Sequence, residues 1–90
     1  MPTFSGGQII TEYLAREDIP YIACIPGHGN TALIDSLIGK DKPKAIQVKH
    51  EQAATHMADG YYKATGKPMA VSTSIGPGAL NTAVGVATAY

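Results

Sequence analysis

Apolar residues recur along this chain with two different periods. Near the start, Ile9, Ile10, Tyr13 and Leu14 fall at helical spacing. Ser5 stands ahead of them as an N-cap and Pro20 stops the segment, which predicts a helix from Ser5 to about Asp18. Tyr21 to Ile25 is a continuous apolar run of strand length. Pro26-Gly27-His28-Gly29-Asn30 reads as a loop, because its Gly and Pro residues oppose both regular structures. Asn30 or Thr31 then caps a second helix through about Ile38, with Leu33, Ile34 and Leu37 on one face. Gly39 to Lys44 is a turn, and Ala45 to Val48 is a second short strand.

The third helix begins near Glu51 and ends at Gly66, a well-placed C-cap glycine. Ala54, Met57, Ala58 and Tyr61 follow the i, i+3, i+4, i+7 rule and give it one apolar face. Met69 to Thr73 is the third strand, and Gly76-Pro77-Gly78 is a second tight loop. A fourth helix then runs from about Ala79 to the end of the chain. Its side chains are mostly small (Ala83, Gly85, Ala87, Ala89), which suits close contact with a neighbouring element. Helices alternating with short apolar strands predict an α/β fold with a parallel sheet, layered α/β/α. About three strands and four helices make an incomplete version of such a fold. A sheet this small leaves its edges exposed, and the last helix reaches Tyr90 without a cap. The expectation is one structural unit over residues 1–90, forming the first part of a larger domain.

Composition narrows the function classes. The 90 residues carry seven Lys+Arg and seven Asp+Glu, for a net charge of zero. No basic footprint points to nucleic acid. Charged residues make up only 16% of the chain, against about 25% in an average protein. Part of its surface is therefore expected to be covered by other protein. Cys24 is the single cysteine, so an internal disulfide is impossible and a reducing, cytoplasmic setting fits. Met1-Pro2-Thr3-Phe4-Ser5 has neither a basic nor an apolar leader region. Met69 to Tyr90 carries no charge and exceeds the roughly 20 residues that cross a bilayer. Gly76-Pro77-Gly78 interrupts it, and its Ser, Thr and Asn residues argue against a membrane span.

In open parallel sheets, ligands bind beyond the carboxyl ends of the strands. Three segments qualify here: Pro26 to Asn30, Lys49-His50-Glu51, and Ser74 to Gly78. Gly27-x-Gly29-x-x-Ala32 fits a dinucleotide-binding fingerprint, with Glu51 at about the right distance of 20 residues for a ribose-binding acid. Against that, a helix precedes the first strand, and Glu51 opens a helix instead of ending a strand. Glu51 is the most informative residue. A carboxylate at a helix N-terminus is stabilised by the dipole whether or not it does chemistry, but this one lies between two Gly-rich loops. Gly76-Pro77-Gly78 lacks the Lys and Ser/Thr of a P-loop, and serves equally well as a simple strand-to-helix turn. His28 and His50 border the same edge, whereas His56 points away from Glu51. No histidine or cysteine spacing supports a metal site. Cys24 reads as a small buried apolar residue, and Tyr61 and Tyr62 as helix packing.

Several runs in order carry a resemblance: Ile25-Pro26-Gly27, His50-Glu51-Gln52-Ala53-Ala54, Met57-Ala58-Asp59-Gly60-Tyr61, Thr65-Gly66-Lys67-Pro68, and Gly76-Pro77-Gly78-Ala79-Leu80-Asn81. Together they resemble the N-terminal, pyrimidine-binding domain of thiamine-diphosphate enzymes of the acetolactate synthase type. The resemblance covers nearly the whole chain and implies that residues 1–90 are part of that domain. It implies that Glu51 is the catalytic glutamate, which hydrogen-bonds N1′ of the cofactor's aminopyrimidine. That bond favours the 4′-imino form, which takes the proton from C2 of the thiazolium. Pro26, Gly27, Gly76 and Asn81 correspond to loops around the cofactor, and His28 and His50 to loop or substrate positions. The resemblance further implies thiamine diphosphate and Mg²⁺ as cofactors, held mainly by a separate domain. FAD is carried by some members in another domain. It also implies a 2-keto acid or related carbonyl substrate and a homodimer or homotetramer with sites between subunits. The sequence departs from the family pattern at Ala23-Cys24, where Phe-Gly is common, and in the loop Pro26-Gly27-His28-Gly29-Asn30, where the family commonly continues Pro-Gly-Gly. The loop is similar to the branch that hydrolyses a cyclic dione in inositol catabolism. Besides that hydrolase, a non-catalytic module that completes its sheet with a partner chain is the remaining alternative.

Overall fold

The computed structural model describes residues 3–90; Met1 and Pro2, part of the stretch read above for a leader, lie outside the described residues. Helix α1 spans Gly6–Arg16. Ser5 opens it with a reciprocal capping box: its Oγ accepts from the Gln8 N–H, and the Gln8 side chain accepts from the Ser5 N–H at 2.8 Å. Strand β1 is Tyr21–Cys24, helix α2 is Thr31–Asp35, and β2 is Lys44–Gln47. Helix α3 runs over Glu51–Thr65 and closes on Gly66 at φ 75°, the left-handed conformation expected of its C-cap. Strand β3 is Ala70–Ser72, and two short helices follow, α4 at Pro77–Leu80 and α5 at Ala83–Ala89.

The three strands form one parallel sheet in the order β2-β1-β3. The chain steps from β1 outward to β2, then returns across β1 to β3. Right-handed crossovers in opposite directions place α2 and α3 on opposite faces of the sheet. Helix α1 packs on α2, while α5 packs on α3. This gives the predicted layering. The central strand is the best buried, with Ile22, Ala23 and Cys24 each at most 2% exposed. Successive side chains point to opposite faces. On the α3 face, Ala23 packs with Val48 and Ala54, flanked by Ile25, Met69 and Val71.

The structure adds to the reading of the first helix and revises that of the last. The apolar stripe of α1 is not its buried face: Ile9, Ile10 and Tyr13 are all more than half exposed, and Thr11 is fully buried instead. The joint between α1 and α2 is small and polar. A Cβ on Gly7 would stand 2.9 Å from the Ala32 carbonyl oxygen, and the Ser36 hydroxyl lies 3.2 Å from Thr11 Oγ1 and 3.1 Å from the Gly7 oxygen. The last helix is also broken in two. At the break, Thr82 turns its hydroxyl back onto the Ala79 carbonyl, 2.6 Å away, and Asn81 directs its amide elsewhere. Such side chains compete with continuous helix. The predicted close contact of small residues does occur in α5, where Gly85 is buried directly against Thr55 of α3.

Candidate functional site

The order β2-β1-β3 puts the reversal of chain direction at the carboxyl ends of β1 and β3, where a crevice forms in open α/β sheets. The loops leaving these strands are tied together by side chains. Asn30 is 4% exposed and organises the loop after β1. Its Oδ1 accepts from the Gly27 N–H at 2.8 Å, and its Nδ2 lies 3.2 Å from both the Ile25 carbonyl oxygen and Ser72 Oγ. The Gly29 N–H donates to Ser74 Oγ at 2.9 Å. Gly27 and Gly29 have no room for side chains here, since a Cβ on either would lie 2.7 Å from Ser74 or Ile75 atoms. Asn30, one of the two residues expected to cap α2, is its N-cap, but its side chain makes no cap bond to the helix. It faces backward and latches the β1 loop to β3. Pro26 and His28 are exposed on this loop, and Gly27 is half-buried.

The third segment brings in the acid. His50 is the N-cap of α3, and its Nδ1 accepts from the Gln52 N–H at 3.0 Å. Glu51, the first residue of α3, is half-buried. Its Oε1 accepts from Asn81 Nδ2 at 3.0 Å, across 30 residues of sequence. Its Oε2 lies beside Gly78, 3.0 Å from where a Cβ would stand. The Asn81 hydrogen bond holds the Glu51 carboxyl below its ordinary range; its own backbone N–H and nearby His50 act in the same direction, against partial burial. Gly76 begins α4 at φ 61°, a conformation glycine adopts without strain.

The structure thus joins Glu51, Asn81 and Gly78 into one cluster, and links Gly27 with the β3 loop through Asn30, Ser72 and Ser74. His56 pairs with Gln52 on the exposed side of α3. The dinucleotide reading needs an acid at a strand end, whereas Glu51 begins a helix and is occupied by Asn81. Among the described residues, no three His, Cys, Asp or Glu side chains gather as a metal-ligand set. No helix among them is long and apolar enough to cross a membrane.

Residues 4–90 match the family described as thiamine pyrophosphate enzyme, N-terminal TPP binding domain. The chain belongs to this family. It is similar along its whole length to the acetolactate synthase large subunit of Buchnera aphidicola subsp. Schizaphis graminum, at 42% identity over 90 residues. It is 37% identical over 90 residues to the acetolactate synthase isozyme 3 large subunit of Escherichia coli. Over 86 residues, 96% of the chain, it is 38% identical to the mitochondrial acetolactate synthase catalytic subunit of Saccharomyces cerevisiae. The chain spans 16% of the length of the two bacterial relatives and 12% of the yeast one.

The thiamine pyrophosphate family binds an aminopyrimidine joined to a diphosphate, and the residues present suit the pyrimidine end. A carboxylate on a rigid helix start, held at one oxygen by an amide and flanked by bare backbone at the other, is a proton-handling group suited to a ring nitrogen. Among the residues that tie the loops together, Asn30 and Ser74 lie within the segments singled out in the sequence, whereas Ser72, inside β3, does not. The signal for Asn30 was its place beside two loop glycines, where Asn side chains commonly bond nearby backbone.

Proposed function

We propose that residues 1–90 form the pyrimidine-facing part of a larger thiamine-diphosphate enzyme that makes or breaks a C–C bond next to a carbonyl. The carrying observation is Glu51 at the start of α3, with Oε1 held by Asn81. The acetolactate synthase relatives support the same chemistry. When bound, thiamine diphosphate supplies a carbon nucleophile that adds to the carbonyl of a 2-keto acid. The part of this chain is to hold and orient the pyrimidine end and to manage its proton. Glu51 is the catalytic residue and carries that proton. Pro26 and Gly27 flank the pyrimidine, kept in place by the Asn30 latch, while Gly76 and Asn81 shape the opposite side. His28 and His50 border the substrate side of the loops.

Diphosphate and Mg²⁺ fall to a segment outside these residues, as does FAD where a relative carries it. The family resemblance supports a homodimer or homotetramer with each site completed by a second subunit. The buried, unpaired Cys24 fits a reducing compartment such as the cytoplasm. The test is an assay of the complete protein with thiamine diphosphate, Mg²⁺ and pyruvate. Decarboxylation with formation of an acetohydroxy acid is expected. Inertness toward 2-keto acids, together with hydrolysis of a cyclic dione, would replace carboligation with the hydrolase reaction.

A further inference from the structure

Glu51 is held from outside its own helix. Asn81 closes α4, beyond β3, and donates from Nδ2 to Glu51 Oε1 at 3.0 Å. The rest of α4 is arranged around the same carboxylate. Gly76 turns the chain at φ 61°, and two residues later the backbone of Gly78 passes so close to Oε2 that a Cβ would stand 3.0 Å from it. One oxygen is therefore held by an amide donor, and the other lies beside bare backbone. An amide N–H donates but does not accept. It stabilises negative charge on Oε1, so a proton taken up by the carboxyl goes to Oε2.

We propose that Asn81 is a positioning residue for Glu51: by holding Oε1 it fixes the carboxylate and reserves Oε2 as the oxygen that carries the proton. This rests on the reading of Glu51 as the acid that serves the pyrimidine. Asn81 acts through Glu51, so its loss changes where and when that acid is protonated. The depressed acidity range of Glu51, with the Asn81 bond as its largest cause, is in keeping. On the α3 side, His50 is the titratable group that faces the carboxylate. The α4 side presents Asn81 and Gly78, neither of which titrates.

The test uses the complete protein and two readouts. The first is the titration of the Glu51 carboxyl without cofactor, followed by ¹³C NMR of labelled glutamate and assigned by its loss in Glu51→Gln. The second is the pH dependence of hydrogen–deuterium exchange at C2 of bound thiamine diphosphate. Asn81→Ala is expected to move the Glu51 titration to higher pH and slow exchange about 10- to 100-fold, the factor carried by a hydrogen bond to a charged group. Asn81→Gln keeps an amide donor and recovers part of the loss. Asn81→Asp, of the same size, moves the titration further than Ala because it sets a carboxylate against Oε1, and it serves if the alanine variant does not fold. A Glu51 titration unchanged in both Asn81→Ala and Asn81→Asp overturns the proposal. Exchange lost in Glu51→Gln, with both Asn81 readouts unchanged, sinks the positioning role alone. Exchange retained in Glu51→Gln, with the titration still shifted by Asn81→Ala, sinks the catalytic role of Glu51 and leaves the positioning contact standing.

Discussion

Asn30 and Glu51 do opposite work at the carboxyl edge of the sheet. Asn30 is buried and bonded through both ends of its amide, so it fixes shape. Replacing it with Ala leaves the Gly27 N–H and Ser72 hydroxyl without their partner, and the expected loss is about 1–3 kcal/mol in chemical denaturation. Glu51 is only half-buried and keeps contact with solvent. Its folded-state acidity lies below the ordinary value of 4.5. Its contribution to stability is thus complete above that unfolded value and fades as pH falls through the lower folded value. Asn81→Ala removes the main cause of the shift, so the variant should show a shallower acid limb of stability than the parent, measured by urea denaturation between about pH 5 and pH 3. Glu51 was legible in the sequence because its neighbours form a recognisable run. Its partner was not, because nothing local relates Asn81 to an acid 30 residues earlier.

At the scale of elements, the hydrophobic period located the helices well but not always the face they bury. In α3 the period held in part: Ala54 is buried and Tyr61 stacks edge-on with Tyr21 at a centroid distance of 5.9 Å, but Met57 and Tyr62 are exposed and Thr55 is buried. In α1 the apolar stripe is exposed, because the face that meets α2 needs small and hydroxyl-bearing residues, Gly7 and Thr11, to let the backbones approach. A period reports which residues share a face; the neighbour decides which face is covered. The same close-approach logic governs α3 against α5. A Cβ on Gly85 would lie 1.7 Å from Thr55 Oγ1 and 2.4 Å from its Cβ. Gly85→Ala is therefore expected to destabilise by about 1–3 kcal/mol, read from the denaturation midpoint. Thr55→Ala should restore only part of this, since the Thr55 Cβ stays in the way. The capping box of α1 gives a milder case: Ser5→Ala should cost about 0.5–2 kcal/mol in the same measurement.

Across the whole molecule, the central strand is the most completely buried element, while many large apolar side chains stay exposed. Phe4, Ile9 and Tyr13 project from the α1 side, and Leu80, Val84, Val86 and Tyr90 from α4, α5 and the residue after them, each more than half exposed. A 16% charge content already implied covered surface, and the relatives extend well beyond the matched region. The alternation of elements made the parallel α/β sheet legible. The strand order, and so the meeting of the β1 and β3 loops, came only from the fold, because periodicity does not say on which side of β1 each crossover returns. The site is divided in the same way. These residues supply the acid and the glycine-lined loops, while the diphosphate and metal groups belong to other segments in the proposed assembly.

The central claim is that Glu51 handles the proton of the cofactor's pyrimidine. Its most direct test is the rate of hydrogen–deuterium exchange at C2 of thiamine diphosphate bound to the complete protein, compared between the parent and Glu51→Gln at equal cofactor occupancy. A slowing of about 10²–10⁴-fold is predicted, the usual contribution of a positioned acid–base group. An exchange rate equal to that of the parent would contradict the account and leave Glu51 as a helix-terminal carboxylate held by Asn81.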